Sequence, residues 1–377
     1  MFSIILFDDL KPKGGPSGYL YNLKDSIDEN GLNNIKILYK KNRKLGTLEK
    51  IKQIFKNELK LSNIFKINRK LNKYKIFIKN NFKDIEKSKI LHFHSTLDLY
   101  YFSKVYNLDK HTVLLTSHSP EPNNVELYKS LISKGYKQNK AEKKRLRYEE
   151  ADIYAFRNAD FLIFPCEGAV SPYKEFFKIN SIDKEKLKYI TTSSKPLIPI
   201  LNKKEFREKY NISIDSKLIC YVGRKNEIKG FDIFCKIAEK LKNNKEFFFV
   251  SAGTGDIEAP NWKNFIDIGW TNDPASLVEA SDIQIIPNRD TYFDIGVIQA
   301  LSINKPILTT NTGGNSYFLD KDLNIFFADY SNIDSFINIL LDNEIYKNNS
   351  KNIDFYNNYL SNRDFAKNYE KLYLSLV

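Results

Sequence analysis

Short, uniformly apolar runs alternate with longer amphipathic segments along the whole chain. In the first half the runs are Phe2–Phe7, Ile35–Tyr39, Ile90–Phe93, Val113–Thr116, Phe161–Pro165 and Tyr189–Thr192. In the second half they are Leu218–Val222, Phe247–Val250, Phe265–Ile268, Ile283–Pro287, Pro306–Thr309 and Ile325–Phe327. Runs this short and apolar throughout suit strands buried on both faces of a parallel sheet, with helices between them. The pattern predicts an α/β architecture with two doubly wound parallel sheets. Between the two sets lies Ser194–Lys203, where Pro196 and Pro199 disfavour both a continuing helix and a central strand. This linker predicts one domain over 1–195 and a second over 196–360, with a closing helix at 361–377 that can pack back on the first domain.

Composition agrees with two cores: the chain has 377 residues, 42% of them hydrophobic, a length that suits two domains at roughly 100 to 200 residues each. No apolar run approaches the roughly 20 residues needed to cross a bilayer, and Met1–Leu10 lacks a basic stretch ahead of its apolar residues. The expected compartment is the cytoplasm. Cys166, Cys220 and Cys235 lie far apart with no CxxC spacing, which excludes a disulfide framework or a conventional zinc site and leaves reduced structural thiols.

Charge changes the picture in one place. Residues 40–90 hold 17 Lys/Arg against 4 Asp/Glu, an excess equal to the net +13 of the whole chain. Between Leu48 and Leu71, Ile51, Ile54, Phe55, Leu59, Ile64, Phe65 and Ile67 interleave with Lys52, Lys56, Lys60, Lys66, Arg69 and Lys70. Such a segment either lies on an anionic bilayer or forms helices that pack on the sheet with a solvated lysine face. A second basic run, Lys137–Arg147, adds to the membrane reading. No helix-turn-helix, RRM or zinc-finger pattern is present, and no aromatic stacking pattern accompanies the basic stretch, so nucleic acid is not an expected partner.

The candidate chemistry sits in the turns. In Tyr221-Val-Gly-Arg-Lys-Asn-Glu-Ile-Lys-Gly230, Gly223 allows a tight turn and places Arg224 and Lys229 near a helix N-terminus, where free N–H groups favour an anion. This is either a phosphate site or a surface turn with two solvated cations. It lacks the GxxxxGK[ST] of a P-loop, so ATP hydrolysis is not suggested. Gly253-Thr-Gly255, Asp290–Leu301 and Pro306–Asn315 place further turns at strand C-terminal ends, the edge where open parallel sheets bind ligands. His118 ends a predicted strand and is either a structural hydrogen-bonder or a group that meets a sugar. His92 and His94 share a strand face without an evident third metal ligand. Asp8-Asp9 superficially suggests a metal-binding acid pair, but it ends the first strand rather than a later one.

The order GRxxxxKG, glycine turn, Gly269–Asp282 segment, Pro287, FDIGVIQAL, TTNTGGN resembles the C-terminal half of the GT-B glycosyltransferases of the large retaining family 4. In the N-terminal half, Gly14-Gly15-Pro-Ser-Gly18 resembles that family's glycine loop, Thr116-Ser-His118-Ser its strand-end histidine, and Asn158–Pro165 the strand before its crevice. The resemblance implies a GT-B fold, two Rossmann-like domains facing a central crevice. It implies that Arg224 and Lys229 neutralise the donor diphosphate and help the nucleotide depart without a metal. Gly15, Gly18, Gly223, Gly253, Gly296 and Val297 would approach the donor, and His118 the transferred sugar. Where the family usually carries two glutamates eight residues apart, this chain has Thr291 and Gln299. Gln299 can still bond ribose hydroxyls. Thr291 is too short to replace the sugar-contacting glutamate, and Asp290 or Asp294 is the available substitute.

The expected activity is therefore transfer of a sugar from a nucleotide diphosphate donor, UDP-linked, to a surface-glycan precursor or lipid-linked acceptor. The expected place is the cytoplasmic face, peripheral to the membrane, with no metal or other cofactor. The rival is a catalytically silent GT-B protein that binds a glycan or a transferase partner. Thr291 and Gln299 favour the rival, and Arg224, Lys229 and Gly296 favour the enzyme.

Overall fold

A computed structural model describes residues 1–12, 15–40, 63–177, 184–347 and 349–377. The chain divides into two compact units: Met1–Phe164 with Pro172–Ile190 and Phe365–Val377, and Pro165–Ser171 with Thr191–Asp364.

The first unit is built on six strands: β1 (Phe2–Leu6), β2 (Ile35–Tyr39), β3 (Ile90–Phe93), β4 (Thr112–Thr116), β5 (Phe161–Phe164) and β6 (Leu187–Tyr189). All neighbours are parallel, in the order β2-β1-β3-β4-β5-β6. Every residue of β1 and β3 is buried, Ser3 and His92 included, as the largely apolar runs lead one to expect. The edge strand β6 is half exposed and starts two residues before the apolar run at Tyr189. Ile190 is buried and its N–H still donates to the Phe164 carbonyl at 2.9 Å. Around the sheet lie helices α1 (Gly15–Glu29), α2 (Asn63–Lys87), α3 (Thr96–Ser103), α4 (Asn123–Ser133), α5 (Gln138–Asn158) and α6 (Ser171–Phe176).

The second unit carries β7 (Lys217–Val222), β8 (Phe247–Ala252), β9 (Phe265–Gly269), β10 (Ile283–Ile286), β11 (Ile307–Thr310) and β12 (Ile325–Ala328). Again all pairs are parallel, in the order β12-β11-β10-β7-β8-β9. The helices are α7 (Lys203–Lys209), α8 (Phe231–Lys240), α9 (Pro274–Ala280), α10 (Ile295–Ser302), α11 (Ile333–Leu341) and α12 (Lys351–Phe355). Local chemistry sets their starts. Asn202 and Glu205 form a capping box on α7, Asp273 accepts from Ser276 N–H ahead of Pro274 on α9, and Asp294 caps α10. Ile219, Phe231, Phe234, Phe249, Ile283, Leu308 and Phe336 share its core.

The closing helix α13 (Phe365–Ser375) belongs to the first unit. There Phe365, Tyr369 and Tyr373 join Leu20, Leu23, Ile90 and Leu114 in one cluster, and Tyr19 Oη and Tyr369 Oη hydrogen-bond at 2.6 Å. Among the described residues no helix is long and apolar enough to cross a membrane.

Candidate functional site

In an open parallel sheet the ligand crevice lies where the strand order reverses, outside the strand C-terminal ends. In the second unit that point falls between β7 and β10. A cavity of about 190 Å³ opens there, lined by Tyr221, Val222 and Gly223 from β7 and its turn. Gln284, Ile285, Ile286 and Asn288 from β10 and its turn complete the sheet side, with Lys229, Asp294, Gly296 and Gln299 around them.

Backbone packing closes the turns on one another. Gly230 has φ +66°, and a Cβ there would sit 1.9 Å from the Pro287 carbonyl oxygen. Gly253 has φ +128° and leaves the same 1.9 Å to the Gly223 carbonyl oxygen. Only glycine meets both demands, so the loops after β7, β8 and β10 are held in register by contacts that no side chain would permit. Tyr221 Oη donates to the carbonyls of Arg224 at 2.6 Å and Lys229 at 3.3 Å, which ties the loop to its own strand.

Asp294 is the electrostatic centre of the cavity. Its Oδ1 accepts from Gly296 N–H at 2.8 Å, and its Oδ2 accepts from Lys229 Nζ at 3.0 Å. Asn288 Nδ2 donates to the same Oδ2. Burial alone would raise this carboxyl, but the charge and hydrogen bond of Lys229, with the Gly296 and Asn288 donors, outweigh it and hold the group below its ordinary value. Neighbouring cations are also matched: Lys225 pairs with Asp267, and Arg289 forks onto Asp232 with two bonds of 2.6 Å. Arg224 is exposed and, among the described residues, makes no ion pair.

Gly223, Lys229, Asp294, Gly296 and Gln299 thus come together around one cavity, and Gly253 packs behind Gly223. Thr291 and Val297 do not line it. Thr291 is buried and its carbonyl accepts from Gly314 N–H at 3.1 Å, while Val297 is a fully buried core residue of α10. Asn288 and Gln284 are lining residues that sequence reasoning missed. Asn288 directly follows Pro287 at a strand end, a position that could have flagged it, whereas nothing marks Gln284 inside an apolar strand.

Gly15, Gly18 and His118 belong to the first unit. Gly15 opens α1 with φ +58°, and Gly18 lies within the first turn of that helix. Gly14 lies outside the described residues. His118 follows β4, and its Nε2 pairs with His94 Nδ1 at 2.7 Å. The two rings stack with centroids 5.0 Å apart, and Tyr19 packs edge-on against His118 at 4.6 Å. His92 is bonded to Tyr373 Oη and Thr116 Oγ1, both at 2.8 Å. Burial lowers His92 and His118 to about 3, so both imidazoles are neutral at physiological pH. No group of three or more His, Cys, Asp or Glu able to hold a metal ion occurs among the described residues.

Residues 216–342 match the family described as Glycosyl transferases group 1. This part of the chain is a group 1 glycosyltransferase domain. It contains every lining residue of the cavity except Leu197. The chain is similar to the UDP-Gal:alpha-D-GlcNAc-diphosphoundecaprenol alpha-1,3-galactosyltransferase of Escherichia coli, 25% identical over 243 residues, 58% of this chain and 60% of the relative. It also resembles the putative teichuronic acid biosynthesis glycosyltransferase TuaC of Bacillus subtilis, 26% identical over 121 residues, 32% of this chain and 31% of the relative. Among solved structures, Anabaena Alr3699/HepE in complex with UDP superimposes with a TM-score of 0.66 at 11% identity, each chain covered in full. The lipopolysaccharide outer core galactosyltransferase WaaB gives 0.62 at 15% identity, covering 100% of this chain and 99% of the other. The two parallel sheets and these likenesses give the group 1 glycosyltransferase domain its setting, a GT-B fold.

Proposed function

We propose that this protein is a metal-independent, retaining glycosyltransferase of family 4 that moves a sugar from a UDP-linked donor to a lipid-linked glycan precursor. The observation that carries the reading is the cavity at the β7–β10 switch point, where Gly223, Lys229, Gly296 and Gln299 meet under a helix N-terminus. In it the donor diphosphate lies toward Lys229 and Arg224, whose charge stabilises the departing nucleotide as the bond to the sugar breaks. The N–H groups that open α10 add fixed partial charge. Gln299 bonds the ribose hydroxyls as donor and acceptor. Positive charge supplied in this way replaces what a divalent ion gives other transferases. His118, neutral and held by His94, offers a hydrogen bond to the transferred sugar and no charge. Asp294 or Asp290 stands in for the missing sugar-contacting glutamate. UDP and a lipid diphosphate acceptor are supported by the likeness to the Escherichia coli galactosyltransferase, whose name gives both.

Calorimetric titration tests the nucleotide assignment. UDP should bind in the absence of metal, Gln299→Ala should weaken it several-fold, and Gln299→Glu should tighten it or leave it unchanged. The amide costs about 1 kcal/mol against a carboxylate, the gap between neutral and charged hydrogen bonds. Absence of binding by both UDP and GDP at millimolar concentration would leave a vestigial crevice and a non-catalytic partner subunit.

A further inference from the structure

The anion position at the head of α10 is already filled by the protein itself. Asp294 is 9% exposed and its two carboxylate oxygens take three donors: the Gly296 N–H of the helix, the Lys229 ammonium and the Asn288 amide. These are the donors that a phosphate would need, because a helix N-terminus beside a lysine is an anion site by construction. With Lys225 tied to Asp267 and Arg289 to Asp232, Arg224 is the cation on this rim left without a carboxylate among the described residues. A nucleoside diphosphate brings roughly two to three negative charges. Placed beside an ionised Asp294 it would meet like charge in a partly desolvated site, where the repulsion is only weakly screened. The cavity nevertheless has capacity for a polar ligand: Gln284 lines it, is 2% exposed, and has an Oε1 with no hydrogen-bond partner among the described residues.

We propose that Asp294 sets the affinity of this site for the diphosphate, acting as an internal anion that the donor must displace from Lys229 and from the start of α10. This rests on the nucleotide reading above. In the free protein the side chain occupies the place of the diphosphate, so exchange costs the three hydrogen bonds of Asp294 and returns Lys229 and the Gly296 N–H to the phosphates. Uridine, which has no phosphate, has no need to displace it. The diphosphate of UDP therefore adds little to the affinity of the wild-type protein over uridine, and removal of the Asp294 charge widens that gap.

Asp294→Asn keeps a good helix cap and an acceptor for Gly296 N–H while removing the charge, and Asp294→Ser is a second capping residue in case the first disturbs the fold. Melting temperatures report the fold, and titrations with UDP and with uridine report the site. UDP affinity should rise at least threefold in both variants with uridine unchanged within twofold, and the gain should shrink in high salt. Lys229→Met should cost UDP affinity more in the Asp294→Asn background than in the wild type, since only there is the ammonium free for phosphate. Unchanged or weaker UDP binding with uridine intact would overturn the displacement of Asp294 alone. Loss of both ligands in wild type and variants would overturn the nucleotide reading with it.

Discussion

At the scale of single residues, two side chains from one loop have different starting states. Arg224 is exposed and unpaired among the described residues, whereas Lys229 begins in an ion pair with Asp294. Both should matter to the reaction: Arg224→Ala or Lys229→Ala should each remove on the order of 3 kcal/mol of transition-state stabilisation, about a hundredfold in rate. Steady-state transfer kinetics within about threefold of wild type for both variants would remove the diphosphate assignment. The pairing of Lys229 with a carboxylate 65 residues away could not be read from the sequence, which marks each residue type and spacing but not the fold that joins β7 to β10. The same holds for His94, legible as sharing a strand face with His92, and His118, legible as a strand-end histidine; the two are brought together where the paired strands β3 and β4 end. His92, fully buried between Tyr373 and Thr116, gives a prediction with a definite sign. Its folded value of about 3 lies below the ordinary 6.5, so the unfolded chain binds the proton more readily. The stability this contributes is complete above about pH 6.5 and is lost as the pH falls toward 3. Melting temperatures from pH 7.5 to 4.5 should fall, and His92→Gln should flatten that fall. Equal slopes for the two proteins would assign the acid sensitivity to other groups.

At the scale of elements, the apolar runs were sufficient to locate most of the strands, because a strand buried on both faces carries few polar positions to interrupt it. The signal failed at β6, where the run Tyr189–Thr192 shares only Tyr189 with the strand, an edge strand whose half-exposed positions dilute it. Helix starts at α7, α9 and α10 were legible in principle from Asn202, Asp273 and Asp294, each a side-chain acceptor directly before its helix. The lysine-rich stretch was legible as composition only. Residues 41–62, with Lys52, Lys56 and Lys60, lie outside the described residues, as does the side chain of Lys66. Lys70 is half-buried with its ammonium 3.9 Å from the Tyr101 ring centroid, a packing role rather than a solvated one. Farther along α2, Lys73, Lys75, Lys79 and Lys83 are exposed together with Ile76 and Phe82. Membrane attachment through this helix would place the proposed transfer site on the same surface as a lipid-linked acceptor. Co-sedimentation with anionic vesicles at low salt should therefore be lost on replacing Lys75, Lys79 and Lys83 by Gln, and on raising the salt. A wild-type protein that stays in the supernatant would make this a solvated face and leave a lipid-linked acceptor unsupported.

At the scale of the molecule, each unit is a complete doubly wound sheet with its own core, and the second holds the switch-point cavity, lined by Lys229 but not by Arg224. The central claim is the metal-free reading proposed above: Lys229, Arg224 and the N-terminus of α10 would supply the positive field for a leaving diphosphate, in place of a divalent ion. Release of nucleotide from a panel of UDP- and GDP-sugars in excess EDTA tests this most directly, with or without acceptor. The account predicts release from at least one UDP-sugar that is undiminished by EDTA and falls about a hundredfold in Arg224→Ala; complete loss in EDTA with recovery on adding manganese would contradict it.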